Sequence, residues 1–435
     1  MIQRQKTILG VFGFLFLAFI VLLVIGLRDP AEQSKTINLT IWGTEDSTRV
    51  WNDLITAYQR QNPNAYIKYT QFPEDTYESS LVDALAAGAG PDIFMFHSSW
   101  LLKHYRKSAP APSDMITLSD IQRLFPQVVE EDFVLHVASV DRQGSNIYAM
   151  PLYIDTLALL YNKDTFDAKR IAVYPETWQD FKSIVLRVRE VSQGKVTQSA
   201  AAIGGTTASV SHAPDMIMLL MQQFGADMVD LDKRQALFGA GNAGKDALDF
   251  YLQFTNPAST YYTWNNWFKP AIDSFAAKQV AMMFGYSRDL QAIRERNAYL
   301  NIGIQHMPQV SSDGAIMNVA DYWGLGVSKN TTQYRESWDF ITYITKNTEI
   351  MRQYTVATGK SPALRYLIND YLAHPTLGVF AEQALTARSW PKVDPAKINT
   401  ILDTMIQRTL DKSLSSEKAV KQAAEAITQE LQSWK

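Results

Sequence analysis

The sequence predicts an α/β protein of two lobes joined by a hinge, preceded by one N-terminal transmembrane helix. Three observations point there. Strand and helix patterns alternate from Ile37 to Phe96, the 435 residues exceed what one hydrophobic core normally serves, and residues 8–27 run without a charge.

The N-terminal run comes first. Arg4 and Lys6 precede it, Arg28 and Asp29 follow it, and its length suits one crossing of a bilayer. Its end, Gly26-Leu27-Arg28-Asp29-Pro30, offers no small-residue cleavage site, and no cysteine is available for a lipid. The expectation is an uncleaved signal anchor in the cytoplasmic membrane, with a cleaved signal peptide as the alternative. Positive charge before the helix keeps residues 1–7 inside, so a tether over 28–36 leads to a binding region outside.

Ile37–Trp42 alternates as a strand, residues 50–61 carry helical spacing, and Asn62-Pro63-Asn64 stops that helix. Tyr66–Phe72 reads as a second strand and residues 75–87 as a second helix. Gly88-Ala89-Gly90-Pro91 then releases the chain into a third strand at 92–96. Further on, 147–161 looks extended, and helices are expected at 178–191, 216–224 and 245–254. A buried strand is expected at 280–284, a returning strand at 323–327 followed by a helix at 334–345, and an amphipathic helix at 416–431.

Composition narrows the chemistry. There is no cysteine, which excludes disulfides, thiol catalysis and Cys-ligated metals. A net charge of -3 gives no support to nucleic-acid binding. The six histidines form no metal-ligand spacing, neither a nucleophile elbow nor a Walker loop is present, and no cofactor is implied. Ten Trp and 20 Tyr offer apolar faces that can cover a sugar ring, although most such rings simply fill cores.

Several segments stand in a telling order: Gly90-Pro91-Asp92-Ile93, Tyr148-Ala149-Met150-Pro151, Leu159-Leu160-Tyr161-Asn162-Lys163-Asp164, Pro175-Glu176-Thr177-Trp178, and 275–282 (Phe-Ala-Ala-Lys-Gln-Val-Ala-Met). Together they resemble the extracellular solute-binding proteins of ABC importers, in the sugar-binding cluster that includes maltose-binding protein. The resemblance implies a periplasmic-binding-protein-like (type II) fold. Lobe one would comprise residues 37–152 with 324–372, and lobe two 156–322 with 373–435. A ligand would sit in the cleft between them.

The resemblance also nominates contacts. Asp46 matches a hydroxyl-binding Asp, Phe96 a stacking Trp and Asp155 a ligand-binding Glu, while Trp100 and Tyr153 neighbour the last two. Tyr286 and Arg288 follow a glycine where the family often shows an aromatic. Trp264, Trp323 and Trp390 are further stacking candidates. Each has a plainer reading: a helix cap for Asp46, a local salt bridge or turn for Asp155, a solvent-facing helix start for Arg288, core packing for the rings. Ser47, Ser99 and Ser287 replace the Lys, Asp and Trp of a maltose site, so maltose itself is not expected.

The expected function is capture of a small polar solute, a sugar or oligosaccharide, by a monomer that passes it to importer permease subunits. A sensory or scaffold protein of the same fold and an exported glycosidase are the alternatives; no catalytic residues are assigned.

Overall fold

The computed structural model describes residues 36–139, 142–192 and 195–434. The apolar run at 8–27 lies outside them. Among the described residues no helix is long and apolar enough to cross a membrane.

Two sheets organise the molecule. The first runs in the order Ala65–Gln71, Ile37–Gly43, Ile93–His97, Trp323–Ser328 and Ser108–Ala109, with Ala149–Pro151 also paired to Trp323–Ser328. Its first three strands are parallel and connected by the helices Thr48–Gln59 and Glu74–Ala86. The central strand reads Ile-Phe-Met-Phe-His, with its first four residues buried. That is the composition expected where helices cover both faces of a sheet.

The second sheet runs Ile302–Gln305, Ala158–Asn162, Val280–Gly285, Lys195–Ala202 and Glu190–Ser192. Val280–Gly285, Val-Ala-Met-Met-Phe-Gly, is buried throughout. The helices Trp178–Val188, Ala213–Gln223 and Ala271–Ala276 belong to this half of the chain.

The sheets are joined by segments lying side by side. Leu152 N–H donates to Trp323 O at 3.1 Å, Asp321 N–H to Asp155 O at 3.0 Å, and Ile154 N–H to Ser361 O at 3.3 Å. Thr156 and Ala320 form an antiparallel bridge. The outgoing crossover, the return and the stretch near Ser361 thus share backbone bonds where the two sheets meet.

One expectation needs correction. The helix predicted to reach residue 191 ends at Val188, and Glu190–Ser192 is an edge strand antiparallel to Lys195–Ala202. Arg189 leaves helical geometry, and its guanidinium donates to Thr260 O and Tyr262 O at 3.0 and 2.6 Å. Those bonds turn the chain outward before the apolar periodicity has run out.

Candidate functional site

The loop after Ile37–Gly43 supplies the first wall. A side chain at Gly43 would meet Met95 Sδ at 2.7 Å and the Tyr69 ring at 2.9 Å, so only glycine lets the strand end there. Glu45 takes a left-handed backbone, φ 57°. Its Oε2 accepts from Tyr153 Oη and from Lys360 Nζ, both at 2.7 Å. Asp46 is 3% exposed and accepts from Lys360 Nζ at 2.8 Å and Tyr354 Oη at 2.7 Å. The Lys360 ammonium also lies 4.3 Å from the centre of the Tyr153 ring. Burial alone would push Lys360 down, but Asp46 and Glu45 outweigh it and hold the lysine above its usual range.

Asp155 anchors the second wall. It has no exposed surface. Its oxygens accept from Thr156 N–H (3.0 Å), Ser287 N–H and Oγ–H (2.9 Å each) and Arg288 N–H (3.2 Å). A carboxylate on the crossover therefore holds the turn that opens helix Asp289–Arg296. Burial pushes Asp155 up to about 6, even though Arg288 and the donors from residues 287 and 288 pull the other way.

Arg288 projects from that turn. It donates to Asp321 Oδ2 at 2.5 Å, and its guanidinium sits 4.4 Å from the Tyr286 ring centre. Asp321 Oδ1 is 3.0 Å from His97 Nε2. Burial opposes ionisation of Asp321, but His97 and Arg288 outweigh it and hold the carboxyl well below the usual range. The series His97–Asp321–Arg288 thus links the end of a first-sheet strand, the returning connector and a second-sheet helix. Beside it, His212 Nε2 lies 2.8 Å from Asp289 Oδ2, which also accepts from Tyr286 N–H. Burial would lower His212, but Asp289 raises it overall.

Open space flanks Arg288 on both sides. A cavity of about 970 Å³ is walled by Glu45, Glu74, Arg288, Arg294, Lys360 and His374, among others. A smaller one, about 280 Å³, is walled by His97, Ser99, His212, Asp215, Arg388 and Trp390, again with Arg288. A third of about 340 Å³ continues from Ser99 and Trp390 toward helix Gln127–Phe133. Polar and charged groups from both halves of the molecule, carried on element ends, thus surround an interlobe space large enough to admit a small polar molecule.

The model of the bacterial extracellular solute-binding proteins matches residues 53–368. The chain belongs to that family. It is similar to the maltotriose-binding protein of Pyrococcus abyssi, 22% identical over 332 residues, 74% of this chain and 65% of that relative. The match therefore spans less than two thirds of the relative's length. Among solved structures it resembles the cyclic α-maltosyl-1,6-maltose binding protein of Arthrobacter globiformis (TM-score 0.75, 16% identity, 91% of this chain and 99% of that one). It also resembles the sugar-binding protein MalE of Xanthomonas citri (0.72, 18%, 91% and 97%). A third is the solute-binding protein of Thermotoga lettingae bound with α-D-tagatose (0.69, 21%, 91% and 100%). At these identities the structures share the two-lobed α/β fold.

The residues nominated from sequence divide sharply by placement. Arg288 and Trp390 line the cavities. Asp46 and Asp155 stand beside them, but their oxygens are taken by protein donors. Tyr153 and Tyr286 are fully buried and point their hydroxyls at Glu45 and Asp215. Phe96, Trp100 and Trp323 pack together under the first wall, with ring centres 6.1 and 5.1 Å apart along the series. Trp264 stacks on Phe268 at 4.6 Å inside lobe two and has no exposed surface. A ring enclosed in this way presents no face for stacking.

Sequence reasoning missed Lys360, Asp321, Arg388 and Lys392. Lys360 follows Gly359, which closes the helix Thr348–Thr358 in left-handed geometry, but nothing local to it reveals its distant carboxylate partners.

Proposed function

We propose that this protein is an extracytoplasmic solute receptor that captures a saccharide in the cleft around Arg288 and delivers it to an ABC importer. The observation that carries this reading is the pair of cavities that share Arg288, lined by charged and polar side chains from both halves of the molecule. The saccharide names of its relatives favour the same ligand class, and no residue in the cleft is assigned a catalytic role. Arg288 and Trp390 are the contacts proposed from the original set. Asp46, Tyr153, Asp155 and Tyr286 act from behind by fixing Lys360, Glu45 and Arg288. The lobes divide at 152–156, 322–324 and 372–373, and residues 8–27 tether the receptor to the membrane.

Isothermal titration of the full-length chain against mono- and oligosaccharides tests this. Saturable one-to-one binding, weakened by Arg288→Gln, is expected. Silence across the whole saccharide panel, with binding of a polyamine or peptide instead, would contradict it.

A further inference from the structure

The smaller cavity has an uneven charge balance. Two acids face it, and both have partners: Asp321 is shared by His97 and Arg288, and Asp215 Oδ2 accepts from Tyr286 Oη at 3.0 Å. His212 is matched by Asp289. Two cations on the same wall, Arg388 and Lys392, have no carboxylate partner among the described residues. Arg388 donates only to the neighbouring Ala387 O, at 3.1 Å, and Lys392 lies 5.5 Å from the centre of the Trp390 ring. Lys392 does act on Asp132, but burial lifts that carboxyl to about 7, which makes it a weak counter-charge at neutral pH.

The wall that carries them is rigid. Ala387–Arg388 pairs in parallel with Asn318–Val319, beside the return to Asp321. Ser389 N–H donates to Glu131 Oε2 at 2.9 Å, and the Trp390 indole N–H meets Met218 Sδ at 3.0 Å. Asn399 lines the same cavity, and its Oδ1 is buried with no hydrogen-bond partner among the described residues. A buried amide oxygen in that condition lacks a donor, which a ligand hydroxyl supplies. The first turns of helices Ala213–Gln223 and Pro395–Leu410 also border the space, through Pro214 and Pro395. Their N-terminal ends favour negative charge, part of which Asp215 and the N-cap Asp394 already supply.

We propose that the saccharide bound here carries an anionic group, held by Arg388 and Lys392, with Asn399 Oδ1 and Ser99 taking its hydroxyls and Trp390 bordering its ring. A uronic-acid carboxylate fits the planar fork of Arg388 in two-point fashion; a phosphate or sulfate ester shares the same chemistry. The proposal rests on the saccharide-receptor reading and sharpens it.

The test titrates the full-length chain at low salt with matched pairs: glucuronic acid against glucose, digalacturonic acid against galactobiose, and glucose 6-phosphate. An acidic member is expected to bind more tightly than its neutral partner. Arg388→Gln and Lys392→Gln should each lose roughly ten- to a hundredfold for the acidic ligand alone. Arg388→Lys should restore part of that loss, and unliganded melting should stay unchanged. Preference for the phosphate ester over the uronates would support the anionic site and identify its anion. Equal binding of neutral and acidic partners, unmoved by either Gln variant, would overturn the anionic site and leave the saccharide receptor standing. Binding of none of the sugars would overturn both.

Discussion

Lys360 shows what a buried cation does when its partners come from far along the chain. Its side chain is 10% exposed, against 11% for Glu45 and 2% for Asp46, so water screens these contacts little. Replacing it with Met leaves two carboxylates without their counter-charge. Lys360→Met is expected to lose about 3–5 kcal/mol in urea unfolding, because breaking a buried pair costs more than the pair contributes; a loss under 1 kcal/mol would show that water reaches the loop. Asp132 behaves oppositely. It is 4% exposed, one carboxyl oxygen has no partner among the described residues, and burial pushes it up to about 7. The folded state therefore holds a proton that the unfolded chain releases above about 4, and this group's contribution to stability falls as pH rises from about 4 to 7. Asp132→Asn is expected to match the native chain near pH 4 and to exceed it at pH 8, on the order of 2–4 kcal/mol, in paired thermal melts. Equal stability of the two at pH 8 would contradict the buried charge.

Element ends carry the site, and one strand shows how tightly. A side chain at Gly324 would meet Met150 O at 2.5 Å and the Phe133 ring at 2.8 Å, where the returning strand passes Ala149–Pro151. Backbone cannot swing aside, so Gly324→Ala is expected to cost about 1–3 kcal/mol in denaturant unfolding. Alternation and turn residues made most of these elements legible. Ile37–Gly43, Ile93–His97 and Trp323–Ser328 lie within a residue of expectation because their apolar patterns and glycine stops are local. Lys195–Ala202 was not foreseen: its first half, Lys-Val-Thr-Gln, is mostly polar and partly exposed and is held as a strand by pairing with Glu190–Ser192, while only Ser199–Ala202 pairs with Val280–Gly285. The site was less legible than the fold for the same reason. Arg288 was found through the glycine-turn motif beside it, whereas Lys360 lies 315 residues from Glu45 and 314 from Asp46. Aromatic residue type was a poor guide, because Phe96 and Trp264 have the same chemistry whether they meet a sugar or fill a core.

At the scale of the molecule, three side-by-side connecting segments join two sheets, and the cleft opens where they cross. The proposed receptor function requires that capture draw the lobes together by rotation about these connectors, which would couple ligand binding to lobe position. The chain has no cysteine, which makes paired labelling clean. Ser79→Cys on helix Glu74–Ala86 and Ser183→Cys on helix Trp178–Val188 place one fluorophore on each lobe at exposed positions. Energy transfer between them, measured on the full-length chain during saccharide titration, tests the cleft as the binding site most directly. A saturable change in transfer that follows the binding isotherm, and that weakens with Arg288→Gln, is the expected result. Saccharide binding with constant transfer, or with full affinity in Arg288→Gln, would place the ligand elsewhere on the protein.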